Sequence, residues 1–177
     1  PMTISVGGRV GYDDDGNTPN THVVKWGYPS IPMIFEVRGL PTNKAAQAAN
    51  WRPMDKHLGA SIGNIIHCQN GTIRLHSNYG LVRAHDPDGG VIKEFKGGGD
   101  HFANFIEAVR KHDKSILNGP VETAHLSSGL AHLGNIAYRT GRVLDFDPKT
   151  ERFINDPEAD KYLTRDYRQG FEVPENV

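Results

Sequence analysis

The sequence predicts an α+β fold, a mainly antiparallel open β-sheet with helices packed on one face. Three observations carry that expectation. Strand-like alternation fills the chain up to Lys96, turn residues of the hairpin type separate the runs, and beyond Asp100 the apolar period changes from two to about 3.6. Strands first and helices later describe a sheet layer covered by a helix layer.

The first strand is expected over Met2 to Val10, where Ile4 and Val6 alternate and Gly7-Gly8 point to a bulge or a close packing. Asp13 to Asn20 (DDDGNTPN) reads as a loop, because Gly16, Pro19 and the Asp and Asn residues all favour turns. Thr21 to Trp26 and Met33 to Gly39 follow as strands. In the second of them Ile34, Glu36 and Arg38 share one face, and Met33, Phe35 and Val37 the other. Pro41 to Gly59 has little sheet character and reads as a connection with one helical turn at Lys44 to Ala49. A four-segment meander comes next, over Asn64 to Cys68, Thr72 to Ser77, Tyr79 to His85 and Val91 to Lys96. Asn70-Gly71 and Asp88-Gly89 lie between its segments and supply positive φ at little cost, and a tight bend is expected at Asn78.

Asp100 is placed to cap a helix whose Phe102, Phe105, Ile106 and Val109 form one stripe. A second helix is expected from Glu122 to Arg139, with Leu126, Leu130, Leu133 and Ala137 in line and Gly141 ending it. The tail contributes one short helix at Pro157 to Leu163 and is otherwise extended.

Composition narrows the function. The 177 residues carry 20 Lys plus Arg against 21 Asp plus Glu, a net charge of −1, which excludes a strongly basic nucleic-acid surface and an acidic tail. The length fits one domain, 1–177, able to bury a sizeable core, and leaves no room for an ordinary two-domain enzyme. No apolar run reaches the roughly 18 residues needed to cross a bilayer, and no secretory signal opens the chain, so a soluble protein of cytoplasm or periplasm is expected. Pro1 followed by Met2 suggests a chain processed or cut from a longer one. The lone Cys68 cannot form an intrachain disulfide.

Chemical motifs are sparse. Gly97-Gly98-Gly99-Asp100 matches neither GxGxxG nor GxxxxGK[ST] and reads as a lead into a capped helix. Asp13 to Asn17 lacks the spacing of a calcium loop. The nine histidines show no HExxH pattern, so no metal site is assigned. His125 and His132 lie two turns apart on one helix face and read as interhelical hydrogen-bond partners. No serine sits on a GxSxG elbow, and no catalytic residue is assigned.

Three segments taken together resemble the C-terminal α/β domain of the Gfo/Idh/MocA oxidoreductases. DDGNTPNTHVVKWGYPSIPMIFEVRG (14–39) resembles that family's acidic loop and two paired strands, NIIHCQNGTIRL (64–75) its hairpin, and HFANFIEAVRKHDKSILNGPVETAHLSSGLAHLGNIAYRTGR (101–142) its two closing helices. The tail RFINDPEADKYLTRDYR (152–168) resembles that of a bacterial subgroup common in planctomycete-like genomes.

The resemblance implies a two-domain enzyme that oxidises a sugar or polyol carbinol. An N-terminal Rossmann domain, absent from this chain, would hold NAD or NADP. This domain would bind substrate and form a homo-oligomer through its sheet, and alone would bind no cofactor. No nucleic acid or membrane partner is expected. The substrate-binding residues expected from position are Arg9, Tyr12, Arg38 and His101, with Trp51 and His57 behind them. A stand-alone binding or assembly module with the same fold and no redox activity is the alternative, with a metal-dependent hydrolase behind both.

Overall fold

Alternating residues near the amino end form three strands, β1 (Met2–Gly8), β2 (Thr21–Gly27) and β3 (Met33–Arg38). The structure, a computed structural model, describes residues 2–11, 15–40, 43–45, 56–76 and 80–174. It divides the chain into two compact units, one made of Pro1–Arg38 with His125–Val177 and the other of Gly39–Ala124.

In the first unit β1 pairs antiparallel with β2, and β2 with β3. Gly7 is there for space, since a Cβ on it would collide with the Thr21 carbonyl oxygen; of the two expectations for Gly7-Gly8, close packing holds and the β1–β2 register runs unbroken. Beyond β1 the sheet is extended by β8 (Leu144–Asp147) and β9 (Arg152–Phe153), giving the order β3-β2-β1-β8-β9. The tail expected to be merely extended thus supplies two strands. One face is covered by α2 (Val121–Thr140), whose Gly134 lies so close to β2 that a Cβ would come within 2.8 Å of Val24 Cγ2.

Leu133, Ile136 and Ala137 of this helix form the core with Leu144, Phe153 and Ala159. A buried side chain such as Leu144 contributes about 1.5–3 kcal/mol by leaving water. The stripe expected along the whole helix is buried only toward its C-terminal end, and Leu126 is exposed. Gly141 stops the helix with φ +64, its N–H donating to the Ala137 and Tyr138 carbonyls. The short helix α3 (Pro157–Asp160), continued by a 3-10 turn at Lys161–Leu163, seats Ala159 in the core. Asp156 holds this end. Its carboxylate caps α3 at Ala159 N, receives Arg142 at 2.7 and 3.0 Å, and is held below the usual carboxylate range first by that backbone bond and then by Arg142.

The second unit contains the meander β4 (Asn64–Cys68), β5 (Gly71–Leu75), β6 (Leu81–His85) and β7 (Val91–Lys96), paired antiparallel in chain order. Gly71 and Gly89 take positive φ in the two turns, as their types require. Among the described residues the strands therefore form two sheets, not one: alternation specifies strands but not which edge a distant strand will join. Helix α1 (His101–Lys111) begins where expected, with Asp100 Oδ1 accepting from Phe102 N and Ala103 N at 3.0 Å. Its stripe does not reach a core. Phe102 is 70% exposed and Phe105 61%, and Ala108 alone on the helix is buried. Lys44 and Ala45 are helical, while 46–49 of the expected turn, together with Asn78 and Tyr79, lie outside the described residues.

Candidate functional site

The β1–β2 register carries Gly8 opposite Thr21, and the β2–β3 register carries Thr21 opposite Arg38. Gly8, Thr21 and Arg38 therefore form one row at the same end of the sheet, with Arg9 following directly. Strands stand about 4.8 Å apart, so the two arginine positions are separated by roughly 10 Å of sheet edge.

Asn20 shapes the loop at this end. Its Oδ1 accepts from Val10 N at 3.0 Å, its Nδ2 donates to the Val10 carbonyl at 2.9 Å, and its own N–H donates to the Gly8 carbonyl. This buried amide replaces the missing strand partners of Val10. Arg9 is turned into the same loop: Nη1 donates to the Thr18 carbonyl at 2.8 Å, and the guanidinium lies against Gly16, where a Cβ would meet Nη1 at 2.7 Å. Arg139 at the end of α2 donates to Asn17 Oδ1 at 3.1 Å. Arg38 sits on the face opposite α2 and reaches back to Glu36, with Nε and Nη2 both 2.7 Å from Oε2. Both side chains are about 40% exposed, so the pair adds little stability and leaves a polar, solvent-facing head at the sheet end.

Beneath, on the helix-covered face, His22 is buried, hydrogen-bonded through Nε2 to Ser5 Oγ, and met edge-on by Tyr138 at 5.5 Å between ring centroids. Burial pushes the imidazole below its ordinary range, because the charged ring would lose its hydration there. Sequence reasoning missed both Asn20 and His22. The signal for His22 was present, since THVVKW puts it in phase with Val24 and Trp26, both buried.

Of the residues expected to bind substrate, Arg9 and Arg38 stand at this sheet end, and His101 belongs to the other unit. There His101 opens α1, exposed, with its ring 4.1 Å from that of Phe102. His57 forms an isolated bridge with Ala60, and Tyr12 and Trp51 lie outside the described residues. A groove of about 470 Å³ beside the C-terminal turn of α1, lined by Phe105, Val109, His112 and Leu117 among others, contains none of these candidates. His125 finds its partner in the β8–β9 turn, with Nε2 2.8 Å from Glu151 Oε1, and not on another helix; His132 is exposed.

Among the described residues no group of three or more His, Cys, Asp or Glu could hold an ion. At the glycine-rich entry to α1 the free amides of Phe102 and Ala103 are already taken by the Asp100 carboxylate, whose charge would oppose a pyrophosphate. No helix among the described residues is long and apolar enough to cross a membrane.

An antiparallel sheet backed by a helix, with polar side chains gathered at one sheet end, defines an α+β domain. Residues 82–173, just over half of the chain, match the oxidoreductase family's C-terminal α/β domain of the Gfo/Idh/MocA type, and the chain belongs to that family. No curated protein and no solved structure matches it.

Proposed function

We propose that this chain is the substrate-binding and oligomerisation domain of an NAD(P)-dependent oxidoreductase acting on a sugar or polyol carbinol, working beside an N-terminal Rossmann domain. The observation that carries the reading is the membership in the family's C-terminal domain. In the two-domain arrangement that the family membership implies, the nicotinamide that accepts the hydride would be held by the Rossmann domain. The role of this chain is then to orient hydroxyl groups and exclude water. Arg38 is suited to orienting hydroxyls, because it stands at a strand end, already polarised by Glu36, with a guanidinium that can donate charge-assisted hydrogen bonds. Tyr12 is assigned to the same role from its sequence position, while His101, in the other unit, is proposed from its sequence position alone as a separate substrate contact.

The test is steady-state kinetics of the enzyme carrying its Rossmann domain, followed as reduced nicotinamide over a panel of sugars and polyols. Arg38→Ala is expected to lower kcat/KM about ten-fold or more, the worth of one charged hydrogen bond, with an unchanged unfolding midpoint. Unchanged kinetics would remove Arg38 from the site.

Oligomerisation is supported by the face of the first sheet opposite α2. Ile4, Val6, Val23 and Ile34 share that face, and Val6 and Ile34 are 62% and 61% exposed. A two-fold pairing of such faces is the simplest closed way to cover them. Light scattering over a concentration series is expected to show a dimer that Ile34→Asp dissociates; a monomer at tens of micromolar would contradict it.

A further inference from the structure

In the second unit, two arginines stand directly opposite one another in the middle of a sheet. The β5–β6 register pairs Arg74 with Arg83 and Thr72 with His85. Alternation puts these four on one face and sends Ile73, Leu75, Val82 and Ala84 to the other. Lys96, opposite Leu81, and Glu94, opposite Arg83, join this face from β7, and it also carries Leu81 and, from β4, Ile65 opposite Arg74 and His67 opposite Thr72. Arg74, Arg83 and Lys96 thus stand against the single carboxylate of Glu94 in these strands. Like charges directly opposite on neighbouring strands are destabilising, so the arrangement calls for a compensating anion.

Only one of the two guanidiniums has its anion. Arg83 Nε lies 2.7 Å from Glu94 Oε1. Glu94 is held below the ordinary carboxylate range by that hydrogen bond first, by the charge of Arg83 next, and also by Lys96. Arg74, by contrast, gives its Nε to the neutral Thr72 Oγ1 at 2.9 Å. That bond fixes the plane of the guanidinium and leaves Nη1 and Nη2 with no partner among the described residues. The side chain is half-buried, so it is neither fully hydrated nor neutralised. Diagonal to it, opposite Thr72, His85 is buried with Nδ1 2.9 Å from the Gly89 carbonyl oxygen, which sets the orientation of its ring.

A planar donor fork held in place before its acceptor arrives, with a second guanidinium and a lysine nearby, is the arrangement that recognises a two-oxygen anion. We propose that this face of the second sheet binds a small molecule through a carboxylate or phosphate group, with Arg74 supplying the bidentate contact and Arg83 and Lys96 the surrounding positive field. The site shares no residue with the candidates of the preceding sections and does not depend on the reaction proposed there.

Calorimetric titration of the chain with glucuronate, inorganic phosphate and glucose tests it. Saturable binding is expected for at least one of the two anions and none for glucose. Tighter binding of glucuronate identifies a sugar acid as the ligand, and tighter binding of phosphate a phosphorylated one. Arg74→Gln should weaken that binding about ten-fold or more, while Arg110→Gln, on exposed helix surface, should leave it unchanged. Should the glutamine variant not fold, Arg74→Lys keeps the charge and loses the fork, and is expected to weaken binding as well. No saturable binding of either anion, equal binding by the Arg74 variants and the parent, or an equal loss in Arg110→Gln would each overturn the proposal. Turnover is not measured in this experiment, so its failure leaves the kinetic test of Arg38 untouched.

Discussion

In the first unit β2 buries His22, Val24 and Trp26 beneath α2, whereas in the second unit no residue of β4–β7 other than His85 is buried among those described. Both units are antiparallel strands joined by turn residues of the same kinds. The difference lies in what covers them. The first sheet receives α2 and the returning tail, which together assemble Leu133, Ile136, Leu144 and Phe153. The second receives no comparable layer from the described residues of its own unit: the apolar face carrying Ile66, Ile73, Val82 and Phe95 stays accessible, with Ile66 56% and Phe95 45% exposed. Hairpin chemistry is enough to pair strands, but a core requires a second layer.

That contrast can be broken at matched positions. Leu144→Ala removes a fully buried side chain and is expected to cost about 2–5 kcal/mol, whereas Ile66→Ala, on the open face, should stay within about 0.5 kcal/mol. Urea unfolding of the two variants measures both, and amide exchange locates the loss in the first unit. Equal losses would mean that the open face is covered in solution by something of the chain's own making.

A smaller effect sharpens the comparison through pH. The His22 imidazole is held below its ordinary range by burial. The unfolded chain takes up this proton near pH 6.5, the folded one only at lower pH. Below about 6.5 the unfolded state therefore binds more protons, and stability falls as pH drops toward the folded value; above about 6.5 the contribution is complete. In His22→Gln this slope should flatten, as read from urea midpoints over a pH series. Persistence of the full slope would assign it to other groups.

Much of the fold is legible in the residues because it rests on local rules. Asp100 can accept from two helix-start amides, Gly141 can take a positive φ, and Asn-Gly and Asp-Gly turns close hairpins wherever apolar runs flank them; each works within a few residues of itself. Alternation likewise told which side chains of β3 share a face, so Arg38 could be placed at a strand end before any contact was known. What alternation leaves open is the neighbour. That β8 would join β1, that the strands would divide into two sheets, and that the apolar stripe of α1 would stay exposed all depend on partners far along the chain. The same holds for the sites. Arg9 proved to be turned into its own loop by the Thr18 carbonyl, Asn20 became the bracket of that loop, and Arg74 met Arg83 only once the β5–β6 register was set. Residue type determines what each side chain can donate, accept or bury; register and the covering layer decide what it meets, because shifting a strand by one residue sends every side chain on it to the other face.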